Sequence, residues 1–155
     1  SEMQKGLIDS GIDVPESIIT WIEMSGGGSD TVMAASGKFT RWLAAHPDAT
    51  KIAIGTVSVE TGQGVFSAAV ASGRWQDCML ATHYNGHQTL AAWETPEAAM
   101  WLGGVANNPG SYGEYIVPLA IAIMAGDNPA KVTTMDHEFL TIVDIDAVKA
   151  EMGVE

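Results

Sequence analysis

The sequence has little basic charge and almost no cysteine. Seven Lys and Arg residues stand against 19 Asp and Glu residues, which gives a formal net charge of −12 at pH 7. Because nucleic acids and anionic membranes are bound by surfaces rich in Lys and Arg, this balance argues against both as partners. Cys78 is the only cysteine, so neither an intrachain disulfide nor a cysteine metal cluster can form. Its apolar neighbours predict a buried, unreactive thiol.

Long apolar runs are also absent. No stretch reaches the length of a membrane span, and no secretory signal opens the chain. The opening residues, SEMQKGLIDSG, instead read like the middle of a helix. We therefore expect these 155 residues to be a fragment whose targeting segment has been removed. An apolar share of 46% is enough for one domain with a sizeable core.

Helix-like and strand-like segments alternate along the chain. Strands are predicted at residues 18–23, 51–56, 78–84, 101–107 and 138–143. Helices are predicted at residues 1–10, 29–46, 60–72, 87–93, 112–125 and 144–152. Several of the strands are continuous apolar runs, which are typical of strands buried on both faces. The pattern therefore predicts an α/β fold, with a parallel sheet between helices in a three-layer α/β/α arrangement.

Polar loops rich in Ser, Thr, Asn and Gly follow the predicted strands. Ligands bind at this carboxyl edge in open parallel sheets. Ser58 precedes a helix and fits an N-cap, and Glu60 lies in the first turn, where the helix dipole favours a carboxylate. Asn85, in a tight turn, offers donors and an acceptor to a hydroxyl-rich ligand. Of Asn107 and Asn108, one fits the next helix cap and the other is free to face a pocket.

Catalytic and metal-binding motifs are weak. Ser58, His83 and Asp77 form a Ser/His/Asp set on paper, but Ser58 is not in a G-x-S-x-G elbow. The histidines lack the spacing of metal ligands. Trp93 and Trp101 are the aromatic residues best placed to stack on a ligand, but a place in the core is the favoured interpretation of both. The sequence thus predicts neither an enzyme nor a bound cofactor or metal.

The order of the segments resembles the C-terminal lobe of type I periplasmic (ribose-like) sugar-binding proteins, the solute-binding components of ABC importers. The stretch from Trp42 to Arg74, followed by DCMLATHYNG, carries the resemblance, and residues 124–146 resemble the family's closing segment. The resemblance covers nearly all of residues 1–155. It implies a flavodoxin-like lobe in the periplasm, which captures a small polar solute such as a sugar and delivers it to an ABC transporter permease.

Matched by position, the resemblance places ligand contacts at Ser58, Asn85 and Asn107. Glu60 keeps the family pattern in the same loop as Ser58. The family usually has Asn in place of Ser58 and Asp in place of Asn85, so a polyol, a modified sugar or another polar solute stays open. The alternative function is that of an effector-binding domain of a sugar-responsive transcription regulator with the same fold, whose basic DNA-binding head is not in this sequence.

The resemblance also implies that the N-terminal lobe and the first strand of this lobe are missing. In the flavodoxin-like strand order the first strand is internal to the sheet. Its absence would leave backbone hydrogen-bonding groups unpaired in the middle of the sheet. We expect a second chain, a swapped segment or direct pairing of the first two strands present to close this gap.

Overall fold

The computed structural model describes residues 2–24, 29–84, 86–106, 112–130, 132, 134 and 137–153. The helices are α1 (Glu2–Asp9), α2 (Ser29–Ala45), α3 (Val59–Ala71), α4 (His87–Trp93), α5 (Tyr112–Met124) and α6 (Ile145–Met152). The strands are β1 (Ile52–Thr56), β2 (Cys78–Thr82), β3 (Trp101–Ala106) and β4 (Glu138–Thr141). All six predicted helices are confirmed, with ends within one or two residues of the prediction.

The four strands form one sheet in the order β1-β2-β3-β4. The first three are parallel to one another, and β4 is antiparallel to β3. Four of the five predicted strands and the α/β class are therefore confirmed. The antiparallel β4 departs from the predicted all-parallel sheet, and it closes one edge beside β3.

The strand predicted at residues 18–23 is wrong. Ile18 ends a short 3₁₀ turn that begins at Glu16, and residues 19–24 have no regular structure. The apolar side chains of this segment are exposed, Ile18 to 68% and Trp21 to 75%. A strand requires a neighbour that pairs with its N–H and C=O groups, and among the described residues β1 pairs only with β2. The direct pairing of the first two predicted strands therefore does not occur in the described part of the chain.

Local signals explain where the helices begin and end. Ser58 caps α3 as predicted, because its Oγ accepts a hydrogen bond of 3.2 Å from the Thr61 N–H. Gly73, with φ of +67°, follows α3 and ends it as predicted. Asp144 precedes α6 but makes no cap bond to it. Its carboxylate instead accepts from the N–H and the hydroxyl of Thr141, at 2.9 and 3.0 Å.

The core lies on one face of the sheet. Cys78, Leu80 and Trp101 are buried there, and Leu80 and Trp101 are fully inaccessible. Side chains alternate along a strand, so Met79 and Leu102 point to the opposite face, where they are exposed to 55% and 43%. On α2, the buried residues Ala35, Phe39 and Leu43 are spaced four apart and form a single apolar stripe. That stripe explains why α2 packs against α3.

Helix α5 is apolar but contains no buried residue. Ile116, Val117 and Ile121 are each exposed to between 55% and 61%. Like Met79 and Leu102, these side chains are apolar and exposed. None of the described helices combines the length and the apolar character needed to cross a bilayer.

The buried thiol of Cys78 should make the chain less stable at alkaline pH. Burial, helped by the Asp77 carboxylate and opposed by Arg74, raises the pKa of this thiol from its ordinary 9.0 to about 11. Between these two values the unfolded chain loses the proton while the folded chain keeps it. The contribution of Cys78 to the free energy of unfolding is therefore constant below this window and falls within it by about 1.4 kcal/mol per pH unit.

Urea unfolding at pH values below and inside this window measures the effect. A Cys78→Ala variant serves as the control, because other groups still titrate in it while the thiol is absent. The wild-type chain should lose stability more steeply than the variant as the pH rises. Identical pH slopes for the two chains would contradict the assigned role of the thiol.

Candidate functional site

The carboxyl ends of the three parallel strands lie side by side. Thr56, the last residue of β1, is in register with Thr82, the last residue of β2, and Thr82 is in register with Gly104 of β3. The polar loops that follow β1 and β2 therefore leave the sheet at neighbouring points. This is the edge that the sequence predicts for ligand binding.

The loop after β1 carries Ser58 and Glu60, and the structure places both at this edge. Ser58 Oγ is engaged in the helix cap and lies 3.1 Å from Thr61 Oγ1. The hydroxyl of Thr56 donates to the backbone oxygen of Ser58 at 3.0 Å and so fixes the turn. Glu60 is half-buried in the first turn of α3. The cap role of Ser58 is confirmed, and contact of either residue with a ligand stays a prediction.

Hydrogen bonds hold the described residues of the loop after β2. The His83 N–H donates to the Thr56 carbonyl at 3.0 Å, which joins the ends of β1 and β2. The hydroxyl of Thr82 donates to the Tyr84 carbonyl at 2.7 Å. The Gly86 N–H donates to Thr89 Oγ1 at 3.3 Å, at the start of α4. The two asparagines predicted as ligand contacts, Asn85 and Asn107, lie outside the described residues.

The two tryptophans considered for ligand stacking belong to the core. Trp93 is 5% exposed and Trp101 is inaccessible. The Trp93 indole N–H donates to the Trp101 carbonyl at 2.8 Å, and the Trp101 indole N–H donates to Thr82 Oγ1 at 3.4 Å. A ring that is enclosed on all sides has no face left for a ligand. The stacking hypothesis for these two residues is therefore wrong.

The Ser/His/Asp set does not assemble. Asp77 directly precedes β2 whereas His83 directly follows it, so the strand separates them by roughly 20 Å. Asp77 pairs instead with Arg74, which also donates to the carbonyl of Ala49 at that far edge. Within the described ranges, no group of three or more His, Cys, Asp or Glu side chains is close enough to hold a metal ion.

Sequence reasoning missed Thr56 and Thr82 at the candidate site. Both are last residues of parallel strands, and both use the hydroxyl to fix the loop that follows. The available signal was a threonine at the end of one predicted strand, residues 51–56, and a threonine two residues before the end of the next, residues 78–84. A threonine in such a place can hydrogen-bond the backbone of the turn after the strand.

Comparisons with known proteins give matches in structure and not in sequence. No family model matches the chain, and no curated protein sequence matches it. An ABC transporter solute-binding protein from Agrobacterium vitis with bound allitol superposes with a TM-score of 0.76 at 16% identity, over 97% of this chain and 50% of that one. The chain has the fold of one lobe of these solute-binding proteins.

Two further solved structures support this assignment of the lobe. The 5-methylthioribose transporter solute-binding protein from Thermotoga lettingae TMO gives a TM-score of 0.67 at 14% identity, over 97% of this chain and 47% of that one. GanP, a glucose-galactose binding protein from Geobacillus stearothermophilus, gives a TM-score of 0.63 at 20% identity, over 73% of this chain and 39% of that one. The lobe therefore spans between about two fifths and one half of the length of these proteins. All three are binding proteins for small solutes.

Proposed function

We propose that the chain binds a small polar solute, a sugar or a polyol, for delivery to an ABC transporter permease in the periplasm. The solute would lie in a cleft between this lobe and a second lobe, which closes over it. The observation that carries the proposal is the alignment of the ends of β1 and β2, with polar loops on a fold shared with solute-binding proteins. The named neighbours are transport proteins, which favours the importer over the transcription-regulator alternative.

Four residues are proposed as ligand contacts: Ser58, Glu60, Asn85 and Asn107. Carboxylate and amide oxygens accept hydrogen bonds from solute hydroxyls, and the amide N–H groups donate to them. Glu60 suits this role because it is half-buried in the first turn of α3, directly after the loop that follows β1, where a carboxylate is partly shielded from water. Charge-assisted hydrogen bonds of this kind are stronger than neutral ones.

A second lobe or a second chain is proposed to complete the sheet along β1. The accessible surface is 10003 Å², whereas a folded monomer of this mass exposes roughly 7,500 Å². Among the described residues, the edge of β1 is open, and apolar side chains of β2, β3 and α5 are exposed. A strand added beside β1 would pair its outward-facing backbone groups.

Binding is tested by titrating the chain with allitol and with galactose while the NMR chemical shifts of the backbone amides are monitored. Affinity in the millimolar range is expected, because one lobe supplies only part of the contacts. Shifts should concentrate in residues 56–62 and 83–88. A Glu60→Gln variant should bind about tenfold more weakly, since it loses a charge-assisted hydrogen bond.

Glu97→Gln is the matched control for this experiment. Glu97 is also half-buried, but it lies before β3, at the opposite edge of the sheet. The variant should bind as the wild-type chain does. Shifts confined to other surfaces, or equal losses in both variants, would contradict the proposed site.

A further inference from the structure

We propose that Thr82 is a positioning residue, which holds the loop after β2 against the first turn of α3. These two segments are the described walls of the proposed cleft. The inference that Thr82 affects ligand binding rests on the proposed function. The inference that it fixes the two walls rests on the geometry of the fold alone.

The hydroxyl of Thr82 is buried and fully engaged. Thr82 is only 4% exposed. Its Oγ1 lies 2.7 Å from the Tyr84 carbonyl and 3.5 Å from the Gly103 carbonyl. A hydroxyl has one proton, and the shorter contact assigns it to Tyr84. The oxygen accepts in turn from the Trp101 indole N–H at 3.4 Å. The loop after β2 is thereby hydrogen-bonded, through Thr82, to a fully buried ring.

The methyl group of Thr82 faces the other wall. A Cβ built on Gly62 would lie 2.5 Å from Thr82 Cγ2. The first turn of α3 therefore rests directly on the methyl group, at a distance that only a glycine allows. Ser58 and Glu60 are in the cap and first turn of the same helix. The backbone bond from His83 to the Thr56 carbonyl completes the link between the walls.

Two substitutions separate the roles of the hydroxyl and the methyl group. Thr82→Val keeps the branched shape against Gly62, but it removes the donor to Tyr84 and the acceptor for the Trp101 indole. Thr82→Ser keeps the hydroxyl and removes the methyl group. If the hydroxyl positions the loop, the valine variant should loosen it and the serine variant should not.

Hydrogen exchange on the full chain measures this directly. The hydrogen-bonded amides of His83 and Gly86 report on the loop, and the amide of Leu80 reports on the centre of the sheet. Thr82→Val should speed exchange at His83 and Gly86 about tenfold relative to Leu80, the effect of one lost hydrogen bond. Thr82→Ser should leave the ratio close to that of the wild-type chain. Equal ratios in all three chains would overturn the proposal.

A titration with allitol then tests the effect on binding. Thr82→Val should bind allitol about tenfold more weakly than the wild-type chain, and Thr82→Ser nearly as well. If the valine variant loosens the loop but the wild-type chain binds neither allitol nor galactose, the proposed function fails and the positioning role stands. If the loop loosens and allitol binds equally to both chains, the role of Thr82 in binding is overturned.

The wild-type chain allows a further measurement, should the valine variant fail to fold. A buried, hydrogen-bonded hydroxyl proton exchanges slowly with water and gives its own NMR resonance. The Thr82 hydroxyl proton should be visible and should show a through-space contact to the Trp101 indole N–H. Rapid exchange of this proton with water would overturn the proposal.

Discussion

Replacement of Gly64 by alanine should destabilise the chain by about 3 kcal/mol, at the upper end of the effects of overpacking. Gly64 is buried in α3 where this helix crosses α2. A Cβ at this position would overlap the Val32 carbonyl oxygen and would lie 2.7 Å from the Ala35 Cβ. Because the first of these is a backbone atom, the clash is relieved only if the two helices move apart. A loss of this size is a large part of the stability of a typical domain.

The sign of this effect is opposite to the one that helix propensity predicts. In an exposed helix interior, alanine is more favourable than glycine by about 1 kcal/mol. Gly37 in α2 is the matched control, since a Cβ there would meet only Arg41 Nη1, at an ordinary 3.7 Å. Gly37→Ala should stabilise the chain by about 0.5 to 1 kcal/mol. Urea midpoints measured by circular dichroism compare the two, and a Gly64→Ala chain as stable as the wild type would refute the close packing.

The elements that the sequence predicts well are those with local causes. Ser58 caps α3 through a residue three positions away, and Gly73 ends it through its own backbone conformation. The alternation of helices and strands then limits the possible folds to α/β sheets. Such signals need no knowledge of distant contacts, which is why the helices were placed within one or two residues.

The elements that the sequence predicts poorly depend on a distant partner. Ile18, Trp21 and Ile22 have the composition of a strand, but their segment has no neighbouring strand among the described residues. The composition of a segment does not determine whether a pairing partner exists. The antiparallel direction of β4 also depends on a distant partner, because it is set by the direction in which the chain returns to β3 and not by the residues of β4.

The same distinction between local and distant causes applies to the residues of the candidate site. Ser58 and Glu60 could be placed at the strand edge from the strand-loop-helix pattern alone. The role of Thr82 could not, because it depends on Trp101, 19 positions away, and on the absence of a side chain at Gly62. For Trp101, the sequence favours a place in the core but leaves stacking on a ligand open. A tryptophan at a strand end suits both a core and a binding surface, and only the packing of α3 over it decides between them.

Replacement of Trp101 by alanine should cost about 4 kcal/mol, which is typical for the loss of a fully buried tryptophan. The ring is inaccessible, its centroid lies 5.8 Å from that of Phe66, and it packs under Gly62. Its indole N–H contacts Thr82 at 3.4 Å. The substitution would therefore leave a large cavity and would also remove the hydrogen bond that Thr82 Oγ1 accepts, and the two effects add to the loss of buried apolar surface.

Trp21→Ala is the matched control, because it removes the same side chain from a position that is 75% exposed. Its effect should stay within about 0.5 kcal/mol, as for most surface substitutions. Urea unfolding of both variants measures the difference. If the two substitutions lower the free energy of unfolding equally, then either Trp101 is not the centre of the core or Trp21 is covered in solution. Analytical ultracentrifugation distinguishes these two explanations. If Trp21 is covered by another chain, the protein sediments as a larger assembly, whereas a core that is not centred on Trp101 requires no assembly. A small loss at Trp101 in a monomeric chain would therefore contradict the packing of α3 on the sheet, on which the position of Glu60 and the role of Thr82 both depend.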